Sequence, residues 1–111
     1  MFSISVIDLN NDIRPLSDKE LSRIYRNLNR LIELLDCSVL LDHLWAEKCI
    51  SSRQRQDIRD EPKAFTRNEL LFDIFTKRSY RDFVKLIHWL NELGQPHVAK
   101  MLTQDGGILH C

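Results

Sequence analysis

Between Phe83 and Leu93 the chain places seven large apolar residues, Phe83, Val84, Leu86, Ile87, Trp89, Leu90 and Leu93, within eleven positions. At 3.6 residues per turn they do not share one stripe. Phe83, Ile87 and Leu90 mark one line and Leu86, Trp89 and Leu93 another, with the polar Arg81, Lys85 and Asn91 between them. A helix apolar over more than half its circumference needs other helices to cover it. Ser79 stands ahead of the segment with Asp82 three positions on, close to a capping box. Gly94 follows, where a helix can end in a left-handed conformation without a steric penalty. Tyr80–Leu93 is therefore expected to be the central helix of a small all-α bundle.

The rest of the chain divides by the same local signals. Ser17 and Glu20 form an S-x-x-E box that opens a first helix, carried by Leu21, Ile24, Leu28, Leu31, Ile32 and Leu35, with Arg23, Arg26, Asn27 and Arg30 opposite. Asp36-Cys37-Ser38 interrupts the pattern. A second helix over about Val39–Lys48 turns Leu40, Leu41, Leu44 and Trp45 inward and Asp42, His43, Glu47 and Lys48 outward. Ser51 and Gln54 open a short polar third helix, Ser52–Asp60, pinned by Ile58 and ended by Glu61-Pro62, because a residue before proline avoids helical geometry. Thr66 and Glu69 suggest a T-x-x-E box for the fourth, with Leu70, Leu71, Ile74 and Phe75 inward. Gln95-Pro96 starts the sixth, proline taking a first-turn position where its missing N–H costs nothing, and Val98, Met101 and Leu102 anchor it. The expected architecture is a six-helix antiparallel bundle over residues 17–104. An N-terminal arm at 1–16, with Ile4, Val6 and Leu9 in short alternation, precedes it, and a tail at 105–111 carries the Gly106-Gly107 pair that releases the chain from the last helix.

Composition bounds the function. The chain has 111 residues, 43% hydrophobic and 29% charged, which fits one ordinary globular domain. Sixteen basic residues balance sixteen acidic ones, so no global positive excess is present to drive nucleic-acid binding by counterion release. No apolar run approaches the roughly 20 residues of a membrane span, and the N-terminus is a poor secretory signal. Cys37, Cys49 and Cys111 are odd in number and lack C-x-x-C spacing, which suits reduced thiols in a cytoplasmic protein. None of the spacings among Cys37, His43, Cys49, His110 and Cys111 matches a zinc finger, so no metal site is expected. Phosphate-loop, nucleophile-elbow and metalloprotease motifs are all missing. The expectation is a protein that is not an enzyme and needs no cofactor.

Several marks in register resemble a caspase-recruitment domain (CARD), a six-helix member of the death-domain superfamily. They run from Leu-Leu-Asp-His-Leu at 40–44 and Ile50-Ser51 through Arg59-Asp60-Glu61-Pro62 and Leu70-Leu71-Phe72-Asp73-Ile74. Ser79-Tyr80 with Phe83, Leu93-Gly94-Gln95, His97-Val98-Ala99 and Met101-Leu102 complete them. The likeness covers roughly Leu21–Leu102, and the pattern around Asp42-His43 and Asp60-Glu61-Pro62 is most similar to the CARDs of apoptotic protease-activating factors. The resemblance implies homotypic protein–protein binding, with an acidic face on helices two and three meeting a basic face on helices one and four. On this chain the basic face would be Arg26, Arg30 and Arg67, and the acidic face Asp42, Glu47 and Asp57. Arg55, Glu69 and Asp73 depart from that scheme. Partners would be another CARD-containing protein, such as an initiator caspase, an adaptor or an activating factor, or, by self-association, a second copy of this chain. A CARD-only protein that caps such an assembly is a related expectation. The alternative from another class is a nucleic-acid binder using Arg53, Arg55, Arg59, Lys63 and Arg67, among which Asp57, Asp60, Glu61 and Glu69 would repel phosphate.

Overall fold

The structure, a computed structural model, describes residues 13–104. Among these residues seven helices follow one another: α1 Asp18–Arg26, α2 Leu28–Leu34, α3 Leu40–Ala46, α4 Ser52–Asp60, α5 Ala64–Phe75, α6 Tyr80–Glu92 and α7 Pro96–Thr103. The expected alternation at Ile4, Val6 and Leu9 and the tail from 105 lie outside the described residues. The all-α expectation holds with one more helix than foreseen, because the predicted first helix is two. Asn27 breaks it at φ −104°, ψ 8°. Its side-chain amide donates to Arg23 O at 2.9 Å and to Met101 O at 3.2 Å, so it competes for backbone acceptors and ties the break to α7. α1 then packs on α7, while α2 packs on α5.

Local capping accounts for most boundaries. The Ser17 and Ser51 hydroxyls accept from the backbone N–H groups of Glu20 and Gln54, whose side chains accept in return from the capping residues' own N–H groups. The Ser79 hydroxyl accepts from Asp82 N. The Thr66–Glu69 box is not formed. α5 starts at Ala64, two residues after Pro62, with the extended Lys63 as its cap, and Arg67 N donates to Lys63 O at 3.0 Å, so Thr66 already lies inside the first turn.

α3 and α6 end in the same way. Gln95 N donates to Leu90 O and Gly94 N to Asn91 O, with Gly94 at φ 78°. Cys49 N donates to Leu44 O and Lys48 N to Trp45 O, with Lys48 at φ 63°. Both are Schellman terminations, the first built on the glycine that favours it and the second on a lysine. Lys48 is thus outside the helix in which the sequence placed it. Arg78 holds its carbonyl at 3.0 Å while pairing with the buried Asp82 at 2.8 Å.

The core is continuous from Ile24, Leu31 and Leu40 through Leu71, Phe72 and Phe75 to Phe83, Leu86, Leu90, Val98 and Leu102. Phe72 belongs to it, although periodicity had singled out its neighbours. α6 packs chiefly on α3 and α7. It is covered over less of its circumference than its composition implied: Phe83, Leu86 and Leu90 are buried, Ile87, Trp89 and Leu93 partly so, and Val84 is 42% exposed. Residues 14–16 are fastened to the start of this helix. Tyr80 N donates to Arg14 O at 2.8 Å, Leu16 is buried, and Arg14 forks onto the two Glu20 carboxylate oxygens at 2.9 Å each. The same guanidinium lies 4.2 Å above the Tyr80 ring centroid. Its hydrogen bonds pull the Glu20 carboxyl down to about 2.

Candidate functional site: the charged faces

The candidate site is the set of charged surfaces that the helices present. Arg26 ends α1 and Arg30 lies in α2, on opposite sides of the Asn27 break, so the two do not form the i, i+4 pair that one unbroken helix would give. Arg26 is exposed and donates to Ser22 Oγ at 3.1 Å. Arg30 is exposed and forms no ion pair among the described residues. Arg67 is half-buried and donates to Glu61 O at 2.7 Å, bridging the turn between α4 and α5.

The acidic expectation changes more. Asp42 is exposed on α3, but Arg59 of α4 pairs with it and Arg55 reaches it at 3.4 Å. Glu47 accepts from Trp89 Nε1 at 2.6 Å and lies 3.7 Å from Lys85 Nζ, so it clasps α3 to α6. Asp57 alone of the three is exposed without an ion-pair partner among the described residues. The inner flank of α4, Arg55 and Arg59, therefore neutralises helix α3, while its outer flank carries Asp57 and Asp60.

Aromatic residues occupy unexpected places in the same region. Trp45, expected inward, is 40% exposed. It gains two partners instead: its Nε1 donates to Ser52 Oγ at 2.9 Å, and the Arg55 guanidinium lies 4.0 Å over its ring. His43, expected to face solvent, is partly covered by stacking on Trp89 at 4.0 Å. Cys37 and Cys49 are buried. Burial raises the Cys37 thiol pKa and pushes that of Cys49 to about 12. Of the basic run considered for nucleic acid, Arg55 and Arg59 are engaged with Asp42 and Arg67 with Glu61, leaving Arg53 and Lys63 exposed without ion-pair partners among the described residues.

With helices, boundaries and faces in place, comparison with known families is decisive. The family model for the caspase recruitment domain matches residues 21–105. The chain belongs to the caspase recruitment domain family. No curated protein and no solved structure matches it. The CARD family is one of non-catalytic interaction domains, and it makes this bundle a protein-interaction module of apoptotic and inflammatory signalling. Among the described residues no helix is long and apolar enough to cross a membrane.

Proposed function

We propose that this CARD acts in the cytoplasm by binding another CARD homotypically, to assemble or regulate a complex that recruits caspases in apoptotic or innate-immune signalling. The partner is an initiator caspase, an adaptor or an activating factor, and the chain itself performs no catalysis. One observation carries this reading. Arg30 on α2 and Asp57 on α4 are exposed, opposite in charge and unspent by the described residues. Complementary charges on different helices suit a head-to-tail contact, in which one copy's basic face meets another's acidic face. Arg26, also exposed, adds a second cation at the end of α1. Asp42 and Glu47 contribute less, because each is already neutralised within the fold.

The test is a pull-down from cytosolic extract with wild-type, Arg30→Glu and Asp57→Arg baits, identifying CARD-bearing proteins by mass spectrometry. Wild type is expected to retain one, and at least one reversal to lose it with unchanged helical circular dichroism. Binding should also weaken as salt rises. Retention of no CARD-bearing protein, or equal retention by all three baits, overturns the reading.

A further inference from the structure

A cleft of about 220 Å³ lies between the α1–α2 break and α5. Ile24, Leu28 and Phe72 supply its apolar lining, and Tyr25, 59% exposed, stands beside them. Glu69 and Asp73, one helical turn apart on α5, complete the lining with Thr76. No lysine or arginine lines it. Asp73 has Lys77 at 3.4 Å, but both side chains are largely exposed, and such a pair is weak. Glu69 forms no ion pair among the described residues. Phe65, one turn before Glu69, adds a 52% exposed ring to the same helix. The face expected to be basic on helices one and four therefore contains an acidic cleft.

The fold itself shows what an aromatic ring and a carboxylate hold together. At the N-terminal end of α6, Arg14 covers Tyr80 and forks onto Glu20. The cleft repeats the ring and the carboxylates, in Tyr25, Glu69 and Asp73, without the guanidinium. It is smaller than the roughly 300–1,000 Å³ that drug-sized ligands occupy, and matches one long side chain. An arginine would lay its methylenes on Leu28, its guanidinium against Tyr25, and its N–H fork on a carboxylate.

We propose that this cleft is the docking site for an arginine side chain presented by the partner CARD. The proposal rests on the homotypic reading above and adds a second sign to the contact. Arg26 and Arg30 would address a partner's carboxylate while the adjoining cleft takes its arginine. A two-signed face rejects partners that match only one charge.

The cleft is tested by ¹⁵N–¹H spectra of the full chain titrated with N-acetyl-arginine amide, against N-acetyl-glutamine amide as control. Saturable shifts are expected at Tyr25, Leu28, Glu69 and Asp73 with the arginine probe only. In Glu69→Gln/Asp73→Asn they should need about tenfold more probe, as loss of a charge-assisted hydrogen bond implies. Shifts absent from the cleft, unchanged in the double variant, or equal at Asp57 and Asp60 overturn the proposal. The docking role is tested by adding a Glu69→Arg/Asp73→Arg bait to the pull-down. It is expected to lose the CARD-bearing protein that wild type retains, and equal retention overturns the docking role. Failure of the homotypic reading appears in the wild-type lane, whereas failure of the cleft appears in the spectra.

Discussion

Asn68 offers the sharpest test of how the bundle is held. It is 2% exposed on α5, and its amide donates to Ile32 O at 2.7 Å and Leu35 O at 2.8 Å, carbonyls at the end of α2. Two carbonyl acceptors require the nitrogen to point at them, which fixes the orientation of the amide. Asn68→Ala removes both bonds, each contributing about 0.5–1.5 kcal/mol net, and leaves two acceptors without that donor. The Asn68 Oδ1 atom has no partner among the described residues, so its removal offsets part of the loss. The expected cost is about 2 kcal/mol, equivalent to roughly 8–16 °C in Tm for a domain of this size.

Asn68→Asp isolates the electrostatic part because the shape is kept. The new carboxylate would face two carbonyl oxygens in a buried position, which disfavours its charged form and raises its folded-state pKa above the unfolded value of about 3.9. A raised acid pKa means that the variant is least penalised below about pH 4, where its protonated oxygen can still donate one bond. It loses stability as pH rises toward the folded-state value. Urea unfolding of wild type, Asn68→Ala and Asn68→Asp at pH 4 and pH 7 measures this directly. Asn68→Asp should be worse than Asn68→Ala at pH 7, and the gap should narrow at pH 4. A gap independent of pH would refute the assignment of Asn68 as a donor to α2.

The two Schellman terminations predict opposite responses at equivalent positions. A Cβ added at Gly94 meets nothing within 4 Å, so Gly94→Ala should cost only the left-handed backbone strain, about 1–2 kcal/mol, whereas Lys48→Gly should relieve it and raise the urea midpoint. Glu20, held near 2 against an ordinary 4.5, contributes stability that is complete above about pH 4.5 and lost as pH falls toward 2. Arg14→Ala should flatten that part of the acid-unfolding curve. Cys37 and Cys49 should resist iodoacetamide in the native protein and become modified only at the rate of unfolding, as read by peptide mapping.

What the sequence made legible is local. Ser17 with Glu20, Ser51 with Gln54, Ser79 with Asp82, Pro96 and Gly94 each act within a few residues of backbone, so their types and spacings mark helix ends before any tertiary structure is known. The misreadings have a shared physical origin. Asn27 breaks the first helix with help from Met101, 74 residues away, and Lys48 ends α3 with its carbonyl held by Arg78. Trp45 stays at the surface because Arg55 and Ser52 of the next helix give its ring and its N–H a place there. Thr66 had the right spacing for a cap, but the chain turns helical two residues earlier, at Ala64, with Lys63 as the cap.

The candidate faces show the same division with larger consequences. Asp42 and Glu47 occupy positions where the family resemblance places acidic contacts, yet their partners Arg59 and Trp89 come from helices 17 and 42 residues further on. A partner's arginine approaching Asp42 would have to displace or share Arg59, so it gains only the difference between two similar pairings. At Asp57, Arg30 or Glu69, no ion pair within the described fold has to be broken first, and a new charge-assisted bond adds its whole net value. On the proposed reading, the sign of a recognition face in this CARD follows from the charges that the described fold leaves unspent, and Glu69 on α5 is a negative one on the side where the family resemblance implied a positive face.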